Sequence, residues 1–419
     1  MKSSISSLFT CFAGSSMKST TITAIDIGTS SIKLLIGQKE ADSPSITIIE
    51  KREVPQTIGV KRSEIYNPKN ISETISSLKE KIQKTKGIKI KKAVVNIGGT
   101  HLSVIRSQGL VSVSRADQKI SQEDIKRVFQ ASQAVNLPSN QEVLDTKIQE
   151  YLIDGEKGVK DPLGLEGFRL EAKALLIYVF SPILENLERA VYESKIEIEK
   201  IIPSILASSR AVLTEQQREL GVAVVDIGAG TTSLSVFSEG NLVDFVVFPM
   251  GASNITNDIA IGLRTEISTA ERIKKEFGSL SPFISRSKKK NEKKKEKIEI
   301  PEKNISFSNS LLEKIVTSRI SEVFSEINKN LKKISKESIL PGGVVLTGGG
   351  SLLPGMADFA KEKFELPCYL SGPKKVVGVE EPTFSTCAGL LLSGFEAGGE
   401  EILMPSEGRL RKIFKIFLP

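Results

Sequence analysis

The chain has 419 residues, room for two to four domains, and 39% hydrophobic with 26% charged residues is the balance of a globular protein. Three cysteines without paired spacing (Cys11, Cys368, Cys387) exclude a disulfide framework, and a single histidine, His101, excludes a His-cluster metal centre. Most of the +8 net charge sits in one stretch, where Arg286 and the lysines between 288 and 297 outnumber Glu292 and Glu296.

Residues 1–20 begin with a lysine and a short apolar run, Leu8 to Ala13. That run falls below the ~7–15 residues of a signal-peptide core. The segment is expected to be a disordered lead, with Met17 a candidate initiator. Residues 22–37, ITAIDIGTSSIKLLIG, read as a strand, a turn and a returning strand. Asp26 ends the first strand, and Gly28, Thr29, Ser30 and Ser31 form the turn. Glycine there lets the backbone approach a ligand with its N–H groups, which suits a phosphate. An aspartate at the strand end suits Mg2+. Another extended segment, 45–54, follows, and then a polar helix at about 70–86. Residues 89–180 read as a separate α+β insertion with strands in KKAVVNIGG and HLSVIRSQGLVSVS, a helix capped by Ser121 and a buried strand at 172–180. His101, after a Gly-Gly turn, reads as a half-exposed loop residue.

Residues 181–220 return to the first half (21–88) as two helices. Residues 222–238, VAVVDIGAGTTSLSVFS, then repeat the earlier phrase. Asp226 stands where Asp26 stood, the turn carries Gly228, Gly230, Thr231 and Thr232, and an extended segment (241–250) again follows. One such turn is an ordinary hairpin. Two in echo indicate a chain built as related halves, with an aspartate-bearing loop on each side of a cleft. The second half spans 221–260 and about 340–394, with 261–339 inserted as a helical lobe. In that lobe Glu271, Lys274 and Lys275 share a helix face at i, i+3 and i+4, either as a solvated charged face or facing a ligand. The lysine-rich 285–303 lacks interleaved aromatics, so a solvated loop is expected and nucleic acid is not a partner. Residues 343–356 run from a buried-type strand into Gly348, Gly349 and Gly350 and open a helix. Three glycines admit a ring or ribose against bare backbone. No GxxxxGK[ST] and no well-placed GxGxxG occurs, which removes the P-loop and Rossmann readings.

After a linker at 395–408 comes RLRKIFKIFLP, residues 409–419. Leu410, Ile413, Phe414, Phe417 and Leu418 fall on one helical face, with Arg409, Arg411, Lys412 and Lys415 on the other. The segment is far shorter than the ~20 residues that span a bilayer. It suits the membrane interface.

DxGTxxxK (Asp26 to Lys33), DIGxGTT (Asp226 to Thr232) and LTGGGxxxPG (Leu346 to Gly355) look like the phosphate 1, phosphate 2 and adenosine motifs of the actin, heat-shock chaperone and sugar kinase superfamily. Within it the chain resembles the bacterial cell-division family FtsA, most specifically at 149–177 and 251–278. The resemblance implies an α/β, actin-like two-lobed fold of duplicated ribonuclease H-like halves, with a small α+β insertion and a C-terminal amphipathic helix. It implies ATP and Mg2+, with Asp26 and Asp226 around the metal and the two turns and Lys33 on phosphates. Glu271, Lys274, Lys275 and Gly348 to Gly350 would hold the adenosine. The superfamily's acid before the proline is Ile202 here, ahead of Pro203, so rapid hydrolysis is not expected. The implied role is a polymer on the cytoplasmic face of the cell membrane that tethers the FtsZ ring, with Arg319 a candidate contact for the FtsZ C-terminal peptide. Rival readings are a pilus-assembly adaptor like PilM, not expected to end in a membrane helix, and a small-molecule kinase, which needs a catalytic acid not found here.

Overall fold

The computed structural model describes residues 19–40, 45–55, 58–280, 297–303, 305–334 and 340–397. Two sheets carry the architecture, and their strand orders repeat. In the first, β1 (Thr20–Ile27), β2 (Ser31–Lys39) and β3 (Ile46–Pro55) form an antiparallel meander. β6 (Lys92–Ile97) joins parallel to β1, and β11 (Glu197–Pro203) parallel to β6. In the second, β12 (Val222–Ile227), β13 (Thr232–Ser238) and β14 (Asn241–Phe248) repeat the meander. β17 (Val344–Thr347) joins parallel to β12, and β18 (Cys368–Leu370) parallel to β17. The echo read in the sequence is therefore an echo of topology. Asp26 pairs across β2 with Lys33, and Asp226 across β13 with Ser233.

Two boundaries differ from the sequence reading. It sets 89–97 in the insertion, whereas β6 lies inside the first sheet between β1 and β11. The run AVVNI is apolar except for Asn96 because a parallel interior strand is covered on both faces, and that pattern does not say which sheet it joins. The insertion's own sheet has the order β7-β10-β8-β9, from β7 (Ser103–Ser112), β8 (Gln141–Ile153), β9 (Glu156–Val159) and β10 (Arg169–Phe180). α2 (Gln122–Ser132), held by a capping box between Ser121 and Asp124, covers one face of it. The second difference is at the end of the second half. β19 (Val376–Val377) pairs with β3, and α10 (Ser385–Ala397) packs on the first sheet's core. Cys387, Leu390 and Leu391 of α10 are wholly buried there.

The remaining elements follow from local chemistry. A two-strand hairpin, β4 (Val60–Lys61) and β5 (Glu64–Ile65), turns through Arg62 and Ser63, both with positive φ (50° and 63°). α1 (Pro68–Lys86) starts with Pro68 in its first turn and Asn67 as cap, and ends at Gly87 with φ 70°. It buries Ile71, Ile75, Leu78 and Ile82, a helical stripe, on the first core. α3 (Ser181–Glu193) leads from the insertion back to β11 of the first sheet, and α4 (Ser204–Val212) and α5 (Glu215–Leu220) lead from the first sheet to the second. α6 (Ala252–Leu263), α7 (Ile267–Phe277), the hairpin of β15 (Lys297–Ile300) and β16 (Ile305–Ser308), α8 (Asn309–Ile334) and α9 (Met356–Phe364) complete the second half. The residues of β12 alternate between cores: Val222 and Val224 face the first, Ala223 and Val225 the second.

The lead up to residue 18, most of the lysine-rich stretch and residues 398–419, with the terminal amphipathic segment, lie outside the described residues. Among those described, no helix is long and apolar enough to cross a membrane.

α10 and α4 touch backbone to backbone: a Cβ on Gly389 would lie 1.7 Å from the Ala207 carbonyl oxygen. Gly389→Ala must push the two helices apart, and overpacking of this kind costs about 1–3 kcal/mol. Urea unfolding should show a clearly lowered midpoint; an unchanged one would mean the helices do not meet this way.

Candidate functional site

β1 and β12 both end at one cleft of about 920 Å³, within the ~300–1,000 Å³ usual for ligand pockets. Asp26, Gly28, Thr29, Ser30 and Lys33 line it from the first sheet, Asp226, Gly228 and Thr231 from the second. Glu271, Lys274, Lys275 and Gly348 to Gly350 line it as well. The two turns close identically: Gly28 N–H donates to the Ser31 carbonyl at 3.0 Å, and Gly228 N–H to the Thr231 carbonyl at 2.9 Å.

Two expected residues do not line this space. Gly230 faces the first turn, where a Cβ would lie 2.7 Å from Thr29 Oγ1 and 3.0 Å from Arg62 Cα. Thr232 is wholly buried at the start of β13 and its hydroxyl has no partner. Side chains alternate in direction as the turn becomes a strand, so Thr231 and Ser233 face the cleft and Thr232 turns away. The three glycines at 348–350 also divide. A Cβ on Gly348 would lie 2.3 Å from Asp226 Oδ1, and one on Gly350 2.4 Å from Ile227 Cγ2. Those two serve close packing against β12, and only Gly349 is open. His101 is deeper than expected, its side chain 9% exposed beside Glu64.

On α7, Glu271 Oε2 accepts from Thr256 Oγ1 at 2.5 Å and from Lys274 Nζ at 2.6 Å. The half-buried Lys274 is thereby tied in place, while Lys275 remains mostly exposed.

The sequence reading missed the residues that hold the aspartates. Asn96, at the end of β6 and nearly buried, accepts from Ile27 N–H at 2.7 Å. It donates to Asp26 Oδ1 at 2.9 Å and to Ser204 Oγ at 3.0 Å. Asp226 is hydrogen-bonded by Ser208 and Thr386. Ser63 joins the two turns: its N–H donates to Thr29 Oγ1 at 2.9 Å, and its hydroxyl bonds Thr231 Oγ1 at 3.0 Å. No local motif marks these residues, because each reaches the site from a distant part of the chain.

Burial pushes the Asp26 carboxyl up to about 6; Lys33, 4.0 Å away, opposes the shift, and Asp226 and Glu53 add to it. Asp226 is raised too, mainly by burial. One buried carboxylate, Asp26, and one half-buried, Asp226, with one shared ammonium are short of positive charge. Asp26 and Asp226 line the cleft, and two carboxylates are a donor set that fits Mg2+, which takes one or two carboxylates and otherwise water and phosphate oxygens.

A family model described as cell division protein FtsA matches residues 223–389, and one described as the SHS2 domain inserted in FtsA matches 99–178. The cell division protein FtsA of Pseudomonas aeruginosa is 34% identical over 395 residues, 92% of either chain. The chain belongs to the FtsA family. Among solved structures, a PilM–PilN type IV pilus biogenesis complex matches with a TM-score of 0.63 at 16% identity, covering 89% of this chain and 98% of that one. MreB5 of Spiroplasma citri bound to ADP matches with a TM-score of 0.53 at 14% identity, covering 90% and 96%. At such identities the likeness establishes the fold, which is the actin-like one. The PilM-like alternative shares that fold, but the family match lies with FtsA. This FtsA-family chain is thus an actin-like cell-division protein.

Arg319 is not a free cation in it. It forms a two-pronged ion pair with Asp258 of α6, at 2.6 and 2.9 Å, and bonds Glu322 at 2.5 Å.

The raised Asp26 pKa has a stability consequence. With the folded value at about 6 and an unfolded value near ~3.9, the folded state binds the proton more tightly. Stability of the ligand-free protein therefore falls as pH rises between those values, by on the order of 3 kcal/mol once Asp26 is ionised. Asp26→Asn keeps the acceptor for Asn96 and removes the charge. It should gain stability relative to the unmodified protein at pH 7.5 and little or none at pH 4. Equal differences at both pH values in urea unfolding would contradict this.

Proposed function

We propose that this chain binds ATP with Mg2+ in the cleft, polymerises, and tethers the FtsZ ring to the cytoplasmic face of the cell membrane at the division site. The observation that carries the nucleotide reading is the pair of matched aspartate-bearing turns lining one cavity from two sheets of the same strand order. The ADP held by MreB5, which shares the fold, supports it. Bound Mg2+ would supply the positive charge that the two carboxylates lack and neutralise phosphate oxygens. Lys33 is placed for the phosphates, with Thr29, Ser30, Gly228 and Thr231 around them. Gly349, Lys275 and the Glu271–Lys274 pair border the space assigned to the adenosine.

Hydrolysis is expected to be slow. Ile202 supplies no polar group, and the nearby polar ones are committed. Asn96 spends its oxygen on Ile27 and its amide protons on Asp26 and Ser204. Ser204 donates its own proton to the Ile97 carbonyl at 3.1 Å. No general base remains there beyond the metal-holding aspartate itself, and phosphoryl transfer depends on such positioning.

The partner assignments rest on chain placement. The FtsZ peptide is assigned to α6 and α8, where Arg319 of α8 meets Asp258 of α6 and where Ile261 of α6 and Leu311 of α8 are exposed. An incoming carboxylate there has to share or displace Asp258. The membrane contact is assigned to 409–419, with Leu410, Ile413, Phe414, Phe417 and Leu418 as the apolar face and Arg411, Lys412 and Lys415 toward the headgroups.

Asp226→Ala should weaken ATP·Mg binding at least about tenfold, or ~1.4 kcal/mol, in a titration with labelled nucleotide. Unchanged affinity would remove the site assignment. Phe414→Asp places a charge in the apolar face and should release the protein from anionic liposomes in pelleting assays, with or without the FtsZ peptide, while ATP binding stays intact. Full retention on liposomes would place the anchor elsewhere.

A further inference from the structure

The end of α10 remote from the cleft is crowded with cations. Arg210, in the last turn of α4, bonds Ser393 Oγ at 3.3 Å and pairs with Glu396, both on α10. Lys200 is an exposed residue on β11, an edge strand of the first sheet. Lys147, on β8 of the insertion, pairs with Asp145 at 2.9 Å. Arg218, on α5, lies over the Phe237 ring at 5.5 Å, and its buried Nε has no partner. Among the described residues neither Lys200 nor Arg218 forms an ion pair with a carboxylate.

These groups sense one another. Partial desolvation, then Lys147, then Arg210 hold Lys200 below its ordinary pKa, against the opposing pull of Asp145 and Glu396. Burial, and then Arg210, lower that of Arg218. Four cations thus face three acids, Asp145, Glu396 and Glu215, the last of which is also paired with Lys375 at 3.1 Å, so the local balance of charge is positive. An anion is what the cluster lacks.

The course of the chain says which anion. α10 ends at Ala397, one residue beyond Glu396, and 398–419 continue from there. Eleven linker residues, 398–408, reach at most about 36–40 Å when fully extended. The basic, apolar segment at 409–419 therefore starts no farther than about 40 Å from the end of α10, and a membrane surface that takes it up can meet this cluster.

We propose that Lys147, Lys200 and Arg210 form a second membrane contact, which binds the headgroup phosphates of anionic lipids beside the point where the chain leaves the fold toward its anchor. This rests on the membrane reading above and extends it. A single terminal contact fixes attachment but not orientation; a second contact on the folded body also fixes which face looks down. Basic residues near an anionic surface contribute additively and are weakened by salt. The competing occupant is the acidic linker itself, where Glu400 and Glu401 lie a few residues beyond Glu396.

The test uses the full chain and vesicles of phosphatidylcholine with increasing phosphatidylglycerol. Lys147→Glu/Lys200→Glu reverses two charges without touching Arg210, which is tied to α10. Its affinity for phosphatidylglycerol-rich vesicles should drop about tenfold or more, with binding to phosphatidylcholine alone and ATP binding unchanged. Lys147→Arg/Lys200→Arg should retain full affinity. A phosphatidylglycerol dependence equal to that of the unmodified protein overturns the proposal. Tighter binding by the charge-reversed variant also overturns it, and assigns the cluster to the linker acids. Failure of the anchor reading is separate: there Phe414→Asp would bind as well as the unmodified chain.

Discussion

Two carboxylates set into the cleft at the ends of matched strands, Asp26 buried and Asp226 half-buried, set the terms for the rest of this structure. Neither Asp26 nor Asp226 is neutralised by the protein: Lys33 is shared and 4.0 Å from the nearer one, and burial raises both pKa values. A protein keeps such a pair only where its surroundings over-determine it. Here they do so with uncharged groups. Asn96 holds Asp26, and Ser208 and Thr386 hold Asp226. Gly348 brings bare backbone against the same carboxylate, at a position where any Cβ would collide with it. These groups fix geometry without cancelling charge, which leaves the cancellation to whatever enters the cleft.

Much of this was legible in the sequence because it was written twice. The phrases around Asp26 and Asp226 share their strand, aspartate and glycine turn, and the structure repeats that sharing through five strands of each sheet. What escaped was whatever depends on direction or on distant neighbours. AVVNI announces a buried strand but not its sheet, so β6 was assigned to the wrong one. The α10 residues were assigned to the half they follow in sequence, although their apolar surface closes the core of the other. The turn at 228–232 was legible as a turn, yet Gly230 and Thr232 point away from the cleft. Asn96, Ser204 and Ser63 carried no signal: an asparagine or serine becomes informative only when its partners, up to 168 residues away, are brought beside it.

The triple glycine is the instructive mixed case. As a sequence, three glycines in a row read as room for a ring or ribose against bare backbone. Two of them are packing residues after all, pressed on Asp226 and Ile227. That packing is itself part of the site, because the strand they press on carries the aspartate. Structural and functional explanations of a glycine exclude each other less often than a sequence reader supposes.

The tip of the β4–β5 hairpin holds two consecutive non-glycine residues in the left-handed region, a conformation that costs on the order of 1 kcal/mol or more per residue. Ser63 at that tip is bonded at once to Thr29 of one turn and Thr231 of the other. Both bonds exist only at one separation of the two turns. Any opening of the lobes must break the bond to Thr231, and then only the bond to Thr29 holds the left-handed tip. The hairpin is a feeler gauge set in the gap: it fits a single width, and its tip is held by one bond fewer at every other.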